Sequence, residues 1–289
     1  RNWFCREETD KAVLAADEAQ RKSISRALYQ AYWVDHLDIN DPTVLEPIAS
    51  AHGVNLDTIS ATRIKDDLRN RTAEAAERGV FGVPTFEVDG TLWWGQDRMH
   101  LVEKALSGSP SIEPVVRAPA HKSIQFFHDF SSPFSYLAST QIQRIAKASG
   151  VTVEYKPILL GALFGAIGTA NIPLFTFGAA KQAYVTRDLT DWAAWWGVDF
   201  AFAPTFPIRT VTPLRVALIE PKTTDALYRA AWVNGINIGD TEALMDVLDN
   251  AGFAGAKLIE QTQDPAIKAL LRANTDEAAA QGMCGVPTV

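Results

Sequence analysis

The chain has 289 residues, 47% of them hydrophobic and 21% charged, with a formal net charge of −7. That length suits one large domain or two ordinary ones, and the composition is that of a soluble globular protein. The acidic balance and the lack of a basic run argue against nucleic acid. No apolar stretch approaches the ~20 residues of a membrane span, since the run 158–166 is short and broken by Gly161 and Gly165.

In chain order, apolar periodicity predicts helices from about residue 27, one of them opened by Asp41-Pro42, an N-cap followed by a proline at the first helical position. Residues 86–94 read as a β-hairpin turning at Asp89-Gly90. A short helix over about 97–106 follows, and then a linker, 107–122, with three prolines. Residues 124–128 form a short apolar strand, and Ser132-Pro133 caps and starts a helix running to about 148. A strand over 151–157 precedes a long, mainly helical region from about 174 to 281, punctuated by Asp240 and by Asp264-Pro265. Trp192, Trp195 and Trp196, at helical spacing, are expected in the core.

Two blocks of this order recur. Residues 27–45 match 226–244 at nine of nineteen positions, and 72–86 match 275–289 at nine of fifteen, ending in Gly82-Val83-Pro84-Thr85 and Gly285-Val286-Pro287-Thr288. The order of the matches predicts two truncated tandem copies: 1–106 is the C-terminal part of a first copy, 107–122 the linker, and 123–289 a second copy lacking its final hairpin and helix. The chain opens without a methionine and stops as if entering a strand, which reads as a fragment of a longer protein. The composite, β-α-β, helices, then β-β-α, is an α/β fold: thioredoxin-like with an inserted helical domain. The linker, spanning up to ~50 Å, is long enough for the first copy's hairpin to complete the second copy's sheet.

In a thioredoxin-like domain the turn from first strand into first helix carries C-P-x-C; here it reads Ser132-Pro133-Phe134-Ser135. Disulfide exchange needs a thiolate and a resolving sulfur, which hydroxyls cannot supply. What remains is a helix N-terminus with free N–H groups and a hydroxyl, an environment that stabilises a thiolate brought by a bound thiol such as glutathione. Cys5 and Cys284 are far apart and outside C-x-x-C or metal spacing, so neither a disulfide framework nor a metal site is expected, and a reducing, cytoplasmic setting is.

The run Phe127-His128-Asp129-Phe130-Ser131-Ser132-Pro133-Phe134-Ser135-Tyr136-Leu137 resembles the opening D-x-x-S-P-[FY]-S-[YW]-L of the 2-hydroxychromene-2-carboxylate isomerases and kappa-class glutathione transferases, of the DsbA-like thioredoxin superfamily. The likeness continues through Asn171-Ile172-Pro173, Lys181, Tyr184, Asp188, Trp192, Phe206-Pro207, Thr210 and Trp93-Trp94-Gly95-Gln96-Asp97-Arg98. It implies that Ser132 contacts the glutathione sulfur and that Asn171 lines the same site. It implies that Val286, before a cis Pro287, pairs with the cysteinyl backbone, with Val83 and Pro84 the equivalents in the first copy. Gln96 and Asp97 match the pair that binds the γ-glutamyl group, although Gln96 stands where the family has Asn or Ser. The family's isomerases carry a Lys or Arg after the second strand; here that neighbourhood has none, so no basic substrate clamp is expected.

The resemblance thus implies a glutathione-dependent isomerase or transferase acting on a conjugated or aromatic electrophile, of the kind used in aromatic degradation. The two copies could pair as a homodimer or as an intramolecular pseudo-dimer. Two alternatives stand beside it: a non-catalytic binding or dimerisation module, and a thiol-disulfide oxidoreductase if the first copy's own motif is C-x-x-C.

Overall fold

A computed structural model describes residues 7–108 and 122–289. The chain divides into two compact units, Arg1–Val102 and Glu103–Val289. Most of the linker lies outside the described residues, as does Cys5.

The first unit opens with four helices: α1 (Glu7–Ala15), α2 (Glu18–Tyr29), α3 (Pro42–Ala51) and α4 (Thr62–Glu77). A turn of π-helix, Gln30–Val34, extends α2. Ala12, Ile24, Leu28, Ile39, Leu45 and Ala49 form its core. Asp41 caps α3 as its sequence demands, its side chain accepting from Thr43 N, with Pro42 in the first helical position. The hairpin is β1 (Thr85–Val88) paired antiparallel with β2 (Thr91–Trp94). Asp89 and Gly90 turn it at positive φ, 50° and 78°, the backbone of a tight two-residue loop. Helix α5 (Met99–Ser107) follows and crosses the division between the units.

The second unit starts with β3 (Ser123–His128), α6 (Pro133–Ser149) and β4 (Thr152–Pro157), the two strands parallel with Phe126 opposite Tyr155. Parallel neighbours need a crossover, and α6 supplies it. On the other side of β3, Phe127 exchanges both backbone hydrogen bonds with Thr288, at 2.9 and 3.1 Å. The two-stranded sheet β1–β2 and the two-stranded sheet β3–β4 are separate. Within the second unit, β3 gives its second edge to residue 288.

Seven helices occupy the interval: α7 (Leu160–Ile167), α8 (Ala179–Trp196), α9 (Val211–Ile219), α10 (Thr224–Trp232), α11 (Thr241–Asn250), α12 (Gly255–Gln261) and α13 (Pro265–Ala280). Asp240 and Asp264 cap α11 and α13. Their core gathers around Tyr136, Tyr228, Trp232 and Leu214, all under 2% exposed. The tryptophans of α8 divide: all three are half-buried, but Trp192 packs against this core as expected, whereas Trp195 and Trp196 do not belong to it. Arg144 from α6 lies over the Trp196 ring at 5.4 Å, so this end of α8 meets a charged side chain rather than the core.

The repeated blocks share hydrogen bonds, two backbone and one from a threonine hydroxyl. Leu37 N reaches Ala31 O at 2.8 Å, as Ile236 N reaches Ala230 O at 2.8 Å. Val80 N reaches Ala75 O, as Met283 N reaches Ala278 O; Thr85 Oγ1 bonds Gly82 O, as Thr288 Oγ1 bonds Gly285 O.

Candidate functional site

Ser132 stands where β3 ends and α6 begins. Its φ and ψ of −103° and 115° are those of an N-cap, and its Oγ accepts from Ser135 N at 3.1 Å. The same hydroxyl donates to Val286 O at 3.2 Å. The Val286–Pro287 peptide is cis, as are Val83–Pro84 and Phe206–Pro207. One buried hydroxyl thus lies between the positive end of a 17-residue helix and the carbonyl preceding a cis-proline.

Beside this pair opens a cavity of about 740 Å³. Ser132, Asn171 and Val286 all line it, together with apolar side chains such as Phe134, Phe164, Leu174 and Phe206. Pro287 follows Val286 in the loop. Gly161, at the start of α7, admits Asn171 closely: a Cβ there would lie 2.8 Å from Asn171 Oδ1. A size and lining of this kind suit an apolar small molecule held by a few polar groups.

Two ionisable side chains line the cavity, Asp129 and Arg209. Asp129 is 1% exposed. Its Oδ1 accepts from Ser131 N at 2.9 Å and its Oδ2 from Leu160 N at 2.8 Å. Burial pushes its carboxyl above the usual carboxylate range, against the opposing pull of those amides and of the Thr210 side chain. Arg209 has no ion-pair partner among the described residues. The stretch after β4 holds no basic residue, and the cation of this cavity comes from elsewhere. Arg209 enters the wall from the loop that follows cis Pro207, some fifty residues downstream of β4.

Behind the site His128 is fully buried, its Nδ1 3.0 Å from Tyr228 Oη. Burial lowers its pKa to about 3, so it is neutral near pH 7 and is not poised as a base. On α8, Tyr184 and Asp188 are buried together, Tyr184 Oη donating to Asp188 at 3.4 Å. Lys181 sits 4.1 Å above the Phe177 ring, which lines the cavity.

The other residues picked out by sequence belong to the first unit. Val83 is 86% exposed, and Pro84 O accepts from Gly95 N at 2.9 Å. Gln96 and Asp97 begin a 3₁₀ turn after Gly95, whose φ is 96°, and Asp97 pairs with Arg98. Sequence reasoning passed over Asp129, although it opens the D-x-x-S-P run, and over Arg209, which no local pattern marks.

Among the described residues no group of three His, Cys, Asp or Glu side chains could hold a metal, and no helix is long and apolar enough to cross a membrane.

Comparison with known proteins agrees with this architecture. A curated 2-hydroxychromene-2-carboxylate isomerase of Sphingobium xenophagum is 28% identical over 179 residues, 57% of this chain and 87% of that protein. A kappa glutathione S-transferase of Caenorhabditis elegans, kappa 2, is 24% identical over 58% of this chain and 80% of its own length. Among solved structures, a 2-hydroxychromene-2-carboxylate isomerase superposes with a TM-score of 0.52 at 25% identity, covering 57% of this chain and 83% of that one. The sequence profile of the DSBA-like thioredoxin domain matches residues 8–107 and 123–289. The chain therefore belongs to the family of DSBA-like thioredoxin domains.

Proposed function

We propose that residues 123–289 carry a glutathione-dependent isomerase or transferase site with Ser132 as its catalytic hydroxyl. The observation that carries this reading is the position of Ser132 Oγ, between Ser135 N and Val286 O at the edge of the cavity. In this reading the bond from Ser132 to Val286 O occupies the two ends that a cysteinyl group would take. Ser132 turns its O–H towards the thiolate, and Val286 O is released to accept the cysteinyl N–H. Redox exchange is not available to Ser132 and Ser135, which leaves stabilisation of a thiolate by the α6 N-terminus and a hydroxyl donor. Glutathione supplies a nucleophilic sulfur for addition to a conjugated or aromatic electrophile. Elimination then gives isomerisation, and retention of the adduct gives conjugation.

The apolar cavity holds the electrophile, Asn171 faces it from the wall, and Arg209 offers a cation to an acidic substituent. The repeated blocks and the hydrogen bonds they share support a reading as two tandem copies. Val83 and Pro84 then stand in the first copy where Val286 and Pro287 stand in the second, and Gln96 and Asp97 hold the γ-glutamyl group of a ligand bound there. The names and shared coverage of the relatives support a small-molecule reaction over a purely structural module.

Calorimetric titration with glutathione, on the unmutated protein and on Ser132→Ala, tests this. Binding should be weakened about tenfold by the substitution, the worth of one hydrogen bond to an ionised group. No binding to the unmutated protein would sink the reading.

A further inference from the structure

The chemistry just described gives no task to Asp129, the most deeply buried carboxylate of the site. Its surroundings are unusual for a buried charge: among the described residues it has no cationic partner, only N–H groups and the Thr210 side chain. Burying a carboxylate is costly unless such bonds are well made. Here they are made to separate segments. Ser131 N belongs to the turn that leads into α6. Leu160 N is the first residue of α7, thirty-one residues away, and the N-cap there, Leu159, has no side chain to do the work. Asp129 therefore caps α7 from outside the helix while bracing the turn before α6.

The backbone of Asp129 is fastened as well. Its carbonyl accepts from Ser132 N at 3.0 Å and from Tyr228 Oη at 3.4 Å. Ser131 Oγ accepts from Ile208 N at 3.2 Å, which ties the same turn to the loop bearing Arg209. Ser132 sits on one of the two helix starts joined by the carboxylate. Gly161, packed on Asn171, sits on the other.

We infer that Asp129 is a positioning residue: by bonding Ser131 N and Leu160 N together it holds the Ser132 hydroxyl in register with the Asn171 wall. The inference rests on the glutathione reading of the site. Asparagine in this place keeps one acceptor and replaces the other by a donor, which would face the N–H of Ser131 or of Leu160. The turn would then relax on one side, and Ser132 with it.

The test compares glutathione with S-methylglutathione, whose blocked sulfur cannot become a thiolate, by calorimetric titration of the purified protein. The unmutated protein should prefer glutathione, and Ser132→Ala should lose that preference. Asp129→Asn should lose it to a similar extent, about tenfold, and the double variant should lose no more than either single one. Should Asp129→Asn fail to fold, Thr210→Val, which removes the neighbouring hydroxyl, decides the matter by a smaller loss of the same preference. Equal weakening of both ligands, additive losses, or an unchanged preference in Thr210→Val overturns the positioning role while the glutathione reading stands. Failure of the unmutated protein to bind glutathione overturns both.

Discussion

Tyr29, Trp33, Val34 and Leu37 correspond through the repeat to Tyr228, Trp232, Val233 and Ile236, and Leu37 N and Ile236 N make equivalent bonds to Ala31 O and Ala230 O, yet the two aromatic pairs have opposite surroundings. The first four are 65, 56, 61 and 45% exposed, whereas Tyr228 and Trp232 are at 0%. The difference lies in what is laid over them. In residues 103–289 the strand-to-helix segment covers this face: Phe130 packs on Tyr228 at 4.7 Å, Tyr136 at 6.0 Å, and Phe130 O accepts from Trp232 Nε1 at 2.8 Å. Among the described residues of 1–102 no strand precedes α2. The same apolar spacing therefore makes a core in one place and a surface in the other, because periodicity specifies a face and not its neighbour.

The largest expected effect breaks or upholds that contrast directly. Trp232→Ala removes a fully buried ring and the donor to Phe130 O, and should cost ~3–5 kcal/mol. Trp33→Ala, at 56% exposure, should cost about 1 kcal/mol or less. Chemical denaturation of the two variants measures both. Equal losses would mean that the first face is covered in solution as the second is.

The next effect belongs to the covered face. Burial holds the pKa of His128 at about 3, below the ~6.5 of an unfolded histidine. As pH falls, the unfolded chain takes up the proton first, so stability present above pH 6.5 is lost progressively towards pH 3. Between pH 7 and 5 that amounts to about 2 kcal/mol. Denaturant midpoints over this range should show the slope, and His128→Asn should flatten it by one proton even though it also disturbs Tyr228. A slope unchanged in the variant would show that His128 is not the group responsible.

The contrast also marks how far sequence reasoning reaches. Local chemistry was legible: Ser132-Pro133, Asp41-Pro42 and Asp264-Pro265 start helices at those residues, and Asp89-Gly90 turns the hairpin. The fold class was legible too, in the strand, the capped helix and the strand of residues 123–157. The cavity's charges were not. Asp129 reaches Leu160 and His128 reaches Tyr228 across thirty-one and a hundred residues. Arg209 arrives on a loop with no signature of its own. Such pairings depend on how helices pack, and no window of sequence contains both partners. The tryptophans of α8 show the converse, an apolar spacing in which Trp192 packs on the core while Trp196 meets Arg144.

The smallest effect sharpens the comparison by asking what is independent of the cover. Asp41 accepts from Thr43 N at 2.9 Å, and Asp240 accepts from Glu242 N and Ala243 N at 3.1 and 3.0 Å. Each caps the helix that begins within its repeated block, and neither bond is made to β3 or α6. Asp41→Ala and Asp240→Ala should therefore lower stability by similar, small amounts, below both preceding effects, when their urea midpoints are compared. The Asp41 carboxyl is held below the usual carboxylate range by the Thr43 hydroxyl and then by its amide. Its contribution is thus present above the unfolded value and fades only as pH falls through the lowered one. Matching losses would assign the local turn to the repeated residues alone. A much larger loss at Asp240 would mean that the segment covering Tyr228 and Trp232 also bears on the cap, and that the two blocks share less than their hydrogen bonds suggest.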